Sequence, residues 1–486
     1  MNPKLAAIGL MSLSTLVHAE TYYVNNANPK ANDTNPGTSE APWLTIQHGA
    51  DQAKPGDTVI VMPGSYGRTL VKAQGTKDQP IVIKGNSVPS QAHVDKSQLL
   101  NPEEPVCFPG NPALNSVCKG FDFQGAGFVR VENFEITDVG SGTGGVFLKN
   151  AENIEVVKSF FHDLNPEKFK HGGIVANPEV FNVLIKDNTF FRCAGANIQT
   201  SGENWIVEGN EASHGTNINT ATGELVGGED AMRLFGKGHI IRYNYFHDFY
   251  ESESDCKTNG SPHLDAFQMF SVHPDTQYAS NILIENNYCV NLCQMIMSSD
   301  TGRTKSGTDL VHDITIRNNV FKGARANALI IGRGSNNFTI ENNVIADGDL
   351  LAINISEDSP NAKVVNNIFY NNGIRSAGKG KRTGPVGVDA SSREGYVGDY
   401  NITNYDFTYP PKLPDQDANS QYDVDPLFVN EQIGDYRLRE GSPAIGAGDP
   451  SILTADGKKR DIGAFQFGTT EGEWILKFIQ PEKSPN

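Results

Sequence analysis

The sequence predicts an all-β fold, a single parallel β-helix in which short strands wind into stacked coils. From about residue 130, aliphatic or β-branched residues followed by Asn and a second short strand recur, as in IKDNTFF, IENNYCV, IRNNVFK and IENNVIA. Strands this short exclude helix as the main element. The 486-residue chain exceeds the usual size of one domain, but a solenoid escapes that limit because each coil packs only on its neighbours.

The repeated asparagines indicate the length of a coil. They stand at 188, 210, 244, 287, 319, 343 and 367, which gives steps of 22, 34, 43, 32, 24 and 24 residues. The short steps fit one coil of three strands, and the longer steps carry insertions. Asn tolerates left-handed backbone and bonds to neighbouring backbone groups, so we predict a structural ladder of asparagines at one bend of every coil.

The two ends of the chain predict a cap and a closing segment. Residues 21–67 read as a strand, a loop, an amphipathic helix around Ile46 to Ala53, the turn KPGD and a further strand. Such a helix covers the open end of a solenoid. Near the other end, DPLFVN, DYRLREGSPAIGAG and DIGAFQF follow an irregular stretch. We therefore predict one β-helix domain at 20–467, with its cap at about 20–67, coils at about 68–405 and a closing segment at about 406–467, followed by an extension at 468–486.

The N-terminus predicts export. MNPKLAAIGLMSLSTLVHAE has one Lys, a short apolar stretch and a small-residue site, which indicate a cleavable signal at 1–19, cut near Ala19. No later run reaches the roughly 18 to 20 apolar residues that span a bilayer. We expect a secreted or periplasmic monomer. The net charge of -17 becomes -18 once Lys4 is removed, and such an acidic chain disfavours nucleic acid and anionic membranes.

The six cysteines predict disulfide bonds in an exported chain. Fifteen complete pairings exist, and Cys107 with Cys118 and Cys289 with Cys293 are the local candidates. Zinc binding is the weaker interpretation, because the sequence has neither CxxC nor a flanking His pair.

Two acidic residues mark the candidate site. An Ala also recurs in the coils, one strand before the repeated Asn. It stands in Gly195-Ala196, Asp230-Ala231, Asp265-Ala266, Asn327-Ala328 and Leu351-Ala352. Asp230 and Asp265 should therefore lie on consecutive coils, about 4.8 Å apart. Two stacked carboxylates repel each other unless a cation, a proton or a substrate intervenes. Their destabilising effect indicates a function.

Further polar residues are predicted at the same place. Glu229 adjoins Asp230, His263 lies two residues before Asp265, and Arg233 and Gln268 occupy matching positions. The insertion ESESDCKTNGSPH adds Lys257, and insertions on one face of a solenoid commonly build a binding groove. A purely structural network of Arg233 and Gln268 is the alternative. Three residues of earlier coils are candidates to line the groove: Lys170, His171 and His214. The repeated FHD, at His162-Asp163 and His247-Asp248, is interpreted as turn structure.

The opening YYV...PW.TIQ.GAD.AKPGDTVIVMPGSY, the coils marked by Asn and the closing SPAIGAG...DIGAFQ resemble a known group. They are similar to secreted right-handed parallel β-helix polysaccharide lyases of the chondroitinase B, alginate lyase and family-nine pectate lyase type. The resemblance covers nearly all of the mature chain and implies a right-handed coil and an acidic polysaccharide substrate. Family-nine pectate lyases use an Asp-rich calcium site and a Lys base, and hydrolases and epimerases share the fold.

These observations lead to one preferred function and two alternatives. The preferred one is a lyase that cleaves an acidic exopolysaccharide by β-elimination. Glu229, Asp230 and Asp265 would hold Ca²⁺ through oxygen ligands, Arg233 would neutralise the uronate, and His263 or Lys257 would be the base. The first alternative is a glycoside hydrolase that uses Asp230, Asp265 or Glu229 as acid and base. The second is a noncatalytic carbohydrate-binding matrix protein.

Overall fold

The computed structural model describes residues 18–89, 111–137, 144–164, 172–193, 195–218, 225–228, 230–249, 256, 264–271, 277–302, 308–377, 384–407 and 416–479. Over these residues the chain forms three long parallel sheets, and successive coils contribute successive strands to each sheet. This arrangement confirms the predicted parallel β-helix. Most of the predicted signal, residues 1–17, lies outside the described residues. No helix in the described ranges is long and apolar enough to cross a membrane.

The three sheets are numbered in the order in which one coil enters them. The first sheet has 14 strands in the described ranges: Thr21–Val24, Thr58–Val61, Ile81–Gly85, Gly127–Glu132, Ala151–Val157, Val180–Lys186, Ile206–Glu208, Gly236–Lys237, Ile240–Arg242, Ala279–Glu285, Val311–Arg317, Asn336–Glu341, Lys363–Val365 and Val397–Asp399. The second has 13 described strands: Gly64–Tyr66, Ser116–Cys118, Glu135–Ile136, Phe160–Leu164, Thr189–Cys193, Glu211–Ser213, Tyr245–His247, Tyr288–Val290, Val320–Lys322, Val344–Ala346, Ile368–Tyr370, Ile402–Thr403 and Gln421–Tyr422. The third has 11 described strands: Thr69–Val71, Phe121–Gln124, Val146–Lys149, Ile174–Ala176, Ile198–Gln199, Met232–Arg233, Asp265–Ser271, Gln294–Asp300, Leu329–Gly332, Ile353–Ile355 and Val386–Val388.

Few other elements accompany the sheets in the described part of the chain. Two antiparallel hairpins pair Thr216–Ile218 with Leu225–Gly228 and Phe428–Asn430 with Asp435–Leu438. The helices are Ile46–Gln52, Ile374–Ala377 and Leu476–Ile479, and the 3₁₀ turns are Ala390–Ser392, Glu431–Ile433 and Glu473–Ile475. Inside the coils, one continuous apolar core runs from Val24 to Tyr396. Each large aliphatic side chain that it buries contributes about 1.5–3 kcal/mol.

The asparagine ladder lies at the bend between the first and second sheets, as predicted. The Asn319 amide donates to Ile284 O (2.9 Å) and to Asn343 Oδ1 of the next coil (3.0 Å). The predicted left-handed backbone lies one residue earlier: Asn286 has φ 55°, whereas the ladder residue Asn287 is absent from the positive-φ positions. The first Asn of each NN pair therefore makes the bend, and the second joins the coils.

The N-terminal helix Ile46–Gln52 covers the end of the solenoid, which confirms the predicted cap. Thr45 Oγ1 accepts a hydrogen bond from the His48 N–H (3.1 Å) and begins the helix as its N-cap. Ile46 and Ala50 are buried on the core side. The helix ends just before Lys54-Pro55, since a residue before proline disfavours the helical conformation.

The C-terminal residues cover the outer face of the second sheet. A second apolar cluster joins Tyr288, Val320 and Val344 of that sheet to Tyr436 and Ile475. Phe478 stacks on Tyr245 with ring centroids 4.6 Å apart. Residues 428–479 therefore lie along the side of the solenoid.

The prediction that the cysteines form disulfides is confirmed, but both candidate pairings are wrong. The bond joins Cys256 to Cys293, whose Cα atoms are 5.4 Å apart, while Cys118 and Cys289 are buried thiols. Cys289 points into the core from a second-sheet strand, and Cys293 lies beyond the following bend, so the two sulfurs do not meet. Cys107 lies outside the described residues.

Candidate active site

The candidate site is at the N-terminal ends of two neighbouring strands of the third sheet, Met232–Arg233 and Asp265–Ser271, which belong to adjacent coils. Met232 pairs with Phe267 and Arg233 with Gln268, and this register places Asp230 opposite Asp265. The Ala231 N–H donates to Asp265 O (2.8 Å), and the Asp265 N–H donates to Asp230 Oδ1 (3.3 Å). The predicted stacking of the two acids is thus confirmed.

The alanine column is shifted on the preceding coil. Because Ile198 pairs with Met232, Ala196 stands beside Asp230 and Asn197 beside Ala231. The predicted alignment of Gly195-Ala196 with Asp230-Ala231 is therefore wrong by one residue. A glycine-flanked Ala resembles the Asp-Ala pairs in sequence, but the strand register depends on where the bend ends.

Asp230 forms a buried ion pair. Its side chain has no solvent exposure, and Oδ2 accepts a hydrogen bond from Arg233 Nε at 2.8 Å. The Arg233 side chain remains 24% exposed. Because a buried carboxylate is costly without a partner, Arg233 compensates Asp230 while it keeps part of its guanidinium at the surface.

Asp265 lies in a different environment, although it is equally buried. Burial raises the pKa of Asp265 well above its usual range, the charge of Asp230 raises it further, and Arg233 and Gln268 act in the opposite direction. The Gln268 amide lies 3.5 Å from Asp265 Oδ2, at the limit of a hydrogen bond. A proton held by Asp265 removes the repulsion between the two acids. Paired carboxyls in unlike environments are typical of acid and base catalysis.

Two aromatic residues that the sequence interpretation missed lie on the same outer face. Phe235 and Phe270 follow Arg233 and Gln268 by two residues, and their rings meet edge to face with centroids 4.9 Å apart. Alternation along a strand puts residues i and i+2 on one face, and that signal was present in the sequence. Gln294 extends the polar column, because it pairs with Asp265 on the next coil.

The other predicted residues are only partly described. His214 follows the second-sheet strand Glu211–Ser213; its ring meets Phe191 at 5.1 Å, and its N–H donates to Asp248 O (3.2 Å). It therefore lies at the bend that precedes Asp230. Five predicted residues lie outside the described residues, and their roles stay predictions: Lys170, His171, Glu229, Lys257 and His263.

The interpretation of the FHD repeats as turns is wrong, because they pair with neighbouring coils: Phe161-His162-Asp163 lies inside the strand Phe160–Leu164, and Phe246-His247 ends the strand Tyr245–His247. Asp163 and Asp248 have left-handed φ angles of 48° and 51°. Each histidine also bridges two carboxylates: His162 meets Asp163 at 2.9 Å and Glu135 at 3.0 Å. Burial lowers the pKa of His162, but its hydrogen bonds to Asp163 and Glu135 outweigh burial and raise the pKa.

The described residues do not by themselves fit a calcium site. Among them, no group of three His, Cys, Asp or Glu side chains is placed to hold a metal. Ca²⁺ takes six to eight oxygen ligands, whereas the Arg233 guanidinium already lies against Asp230. Calcium binding therefore depends on Glu229 and stays a prediction.

The three long parallel sheets define the class of fold: this is a parallel β-helix protein. The chain belongs to the family described as "Protein of unknown function (DUF1565)", whose model matches residues 30–309. It is 40% identical over 58 residues to the "Uncharacterized protein YwoF" of Bacillus subtilis, a match that spans only 12% of either protein.

Three solved structures illustrate the similarity of fold. Pectate lyase Pel9A is 14% identical, with a TM-score of 0.44 over 92% of this chain and 96% of that one. The alginate lyase of Paenibacillus sp. str. FPU-7 is 11% identical, with a TM-score of 0.43 over 78% and 98%. The GH136 lacto-N-biosidase of Eubacterium ramulus is 14% identical, with a TM-score of 0.49 over 79% and 67%. At these identities the similarity concerns the fold alone.

Proposed function

We propose that the protein is a polysaccharide lyase that cleaves a uronate-containing polysaccharide at the Asp230 and Asp265 pair. The observation that supports this proposal is the buried Asp265, with its raised pKa, stacked on the Asp230–Arg233 ion pair. A carboxyl with a raised pKa holds its proton to higher pH than a free Asp and can donate it, and the exposed part of the Arg233 guanidinium can pair with the carboxylate of an acidic sugar.

Each of the named side chains has one role in the elimination. A base, His263 or Lys257, removes the proton beside the uronate carboxylate, and the released electron pair forms a carbon–carbon double bond. The bond to the leaving sugar oxygen breaks, and Asp265 gives that oxygen its proton. Arg233 stabilises the charge that develops on the uronate carboxylate. Glu229 would complete a calcium site if the metal is bound, and no step above is routed through it.

Hydrolysis is the second candidate, and the unlike environments of the two carboxyls favour it. Asp265 would again be the acid, and Asp230 the nucleophile or base. Asp230 has a cationic partner, the Arg233 guanidinium, whose Nε lies 2.8 Å from Asp230 Oδ2. Lysis and hydrolysis therefore share Asp265 as proton donor and differ in their products.

Product analysis tests both proposals. The purified protein is incubated with a panel of uronate polysaccharides, with calcium or with chelator, while ultraviolet absorbance of unsaturated uronate and new reducing ends are measured. A lyase produces both signals, whereas a hydrolase produces reducing ends alone. Asp265→Asn should lower the rate about 10²- to 10⁴-fold, as expected for loss of a general acid. The matched control Asp313→Asn changes a carboxyl with a left-handed φ of 56° in the first-sheet strand Val311–Arg317, outside the third sheet, and should keep the rate.

Binding without cleavage would contradict both enzymatic proposals. In that case no product appears with any polysaccharide, while wild-type protein and Asp265→Asn bind the same ligand. That result would favour the carbohydrate-binding matrix protein.

A further inference from the structure

The Cys256–Cys293 disulfide lies next to the candidate site. It joins residues 37 positions apart, so it ties the chain before Asp265 to the coil after it. Cys256 packs against the apolar core, and Cys293 is buried. The bond is therefore held by the solenoid at both ends.

The backbone connects the disulfide directly to Asp265. The Cys293 N–H donates to the oxygen of Leu264 (3.1 Å), the residue before Asp265. The residue after Cys293, Gln294, is the strand partner of Asp265. A shift of Cys293 would therefore move the peptide group that precedes Asp265 and the residue that pairs with it, Gln294.

We infer that the Cys256–Cys293 disulfide is a positioning element of the active site, which holds Asp265 against the Asp230–Arg233 ion pair. The inference rests on the proposed function of that site. Asp265 meets the ion pair through the backbone of its own coil, whose N–H at Asp265 donates to Asp230 Oδ1 (3.3 Å), so the position of that coil sets the geometry of the acid pair. A cross-link restrains that position, because it removes conformations in which the chain before Asp265 leaves the coil.

The experiment opens the disulfide in the folded protein. Dithiothreitol supplies two electrons and two protons: the sulfur–sulfur bond breaks, two cysteine thiols form, and the reagent is oxidised to its cyclic disulfide. The variant Cys256→Ala/Cys293→Ala removes the bond without reductant. Cys289→Ala is the matched control, because it deletes a buried sulfur from the same coil and leaves the disulfide intact. Two readouts are measured, kcat and KM on the cleaved polysaccharide and hydrogen exchange at the amides of Ala231 and Cys293.

We expect kcat to fall about 100-fold when the bond opens, since a displacement of about 1 Å at a reacting group costs that much. KM should stay within about twofold, because the groups that bind substrate are unchanged. Exchange should accelerate at Ala231, whose N–H bonds to Asp265 O, and reoxidation should restore both readouts. Unchanged kcat and exchange in the reduced protein would overturn the inference, as would an equal loss in Cys289→Ala.

Failure of the proposed function is distinguishable from failure of the inference. If the protein with its disulfide intact cleaves no polysaccharide, the proposed function fails. The role of the disulfide is then tested by hydrogen exchange alone, which compares the protein before and after the bond is opened. Acceleration confined to Ala231 and Cys293 would then support it, and no acceleration would refute it.

Discussion

Asp265→Asn should make the protein more stable while it removes activity. Asn has nearly the same shape as a protonated Asp, so at low pH the two proteins should have similar free energies of unfolding. At higher pH the wild-type protein must either ionise the buried Asp265 carboxyl beside Asp230 or keep Asp265 protonated at a pH where a free Asp loses its proton to water. The amide variant carries neither cost.

The sign and size follow from the raised pKa of Asp265. The unfolded Asp titrates near 3.9, and the folded group titrates well above its usual value, so between the two pKa values the folded state binds more protons. The stability of the wild-type protein therefore falls as pH rises through that window, by up to about 1.4 kcal/mol for each pH unit. Asp265→Asn lacks this titration, so its advantage should grow over the same window and then level off.

Urea denaturation of both proteins at closely spaced pH values measures the difference, and the cleavage assay is run in parallel. Asp300→Asn is the control of opposite sign, because Asp300 accepts hydrogen bonds from the N–H groups of Leu310 (2.7 Å) and Val311 (2.9 Å). An amide at this position accepts these two hydrogen bonds less strongly, so the free energy of unfolding should fall by about 1–3 kcal/mol. The reasoning is refuted if Asp265→Asn is less stable than wild type at neutral pH, or if the difference between them does not change with pH.

Three further predictions concern stability. Arg233→Met should lower the free energy of unfolding by about 3 kcal/mol in urea, because it leaves Asp230 buried without a counter-charge, and an unchanged midpoint would contradict the ion-pair interpretation. His162→Gln should flatten the stability curve above about pH 6.5, since a raised histidine pKa gives stability that is present below the unfolded pKa and lost as pH rises through the folded one. Asn319→Ala should cost about 1–3 kcal/mol in thermal or urea unfolding, because Ile284 O and Asn343 Oδ1 lose their donor, whereas Asn286→Gly at a left-handed bend should cost less than about 1 kcal/mol.

Repetition made the fold predictable from the sequence. Each coil must bury its own aliphatic residues and bend at the same place, so the pattern of strand, Asn and strand recurs wherever a coil does. The different roles of the two asparagines in each NN pair were not predictable in this way. Both positions carry Asn, but Asn286 has the left-handed backbone and Asn287 the ladder, and composition alone does not separate the two roles.

The candidate site was predicted in part. The alignment of the repeats predicts that Asp230 stacks on Asp265. The sequence left two roles for Arg233, a structural ion pair or a contact to substrate. The structure shows the ion pair, with Arg233 Nε 2.8 Å from Asp230 Oδ2. The disulfide was missed because its pairing depends on where the long insertion returns to the coil, and spacing favours near neighbours such as Cys289 and Cys293. The sequence signal for Phe235 and Phe270 is only the alternation of the strand, which indicates a shared face and does not indicate a function.

The covering of the second sheet has a consequence for how the chain is made. Asn342 bonds to the oxygen of Asp461, 119 residues later, at 2.8 Å. The coils emerge from the ribosome before the residues that cover them, so the apolar outer surface around Val320 and Val344 stays exposed until the last part of the chain is made. Chains that terminate early would expose this surface permanently, and we expect them to be the species most prone to aggregate or to be degraded.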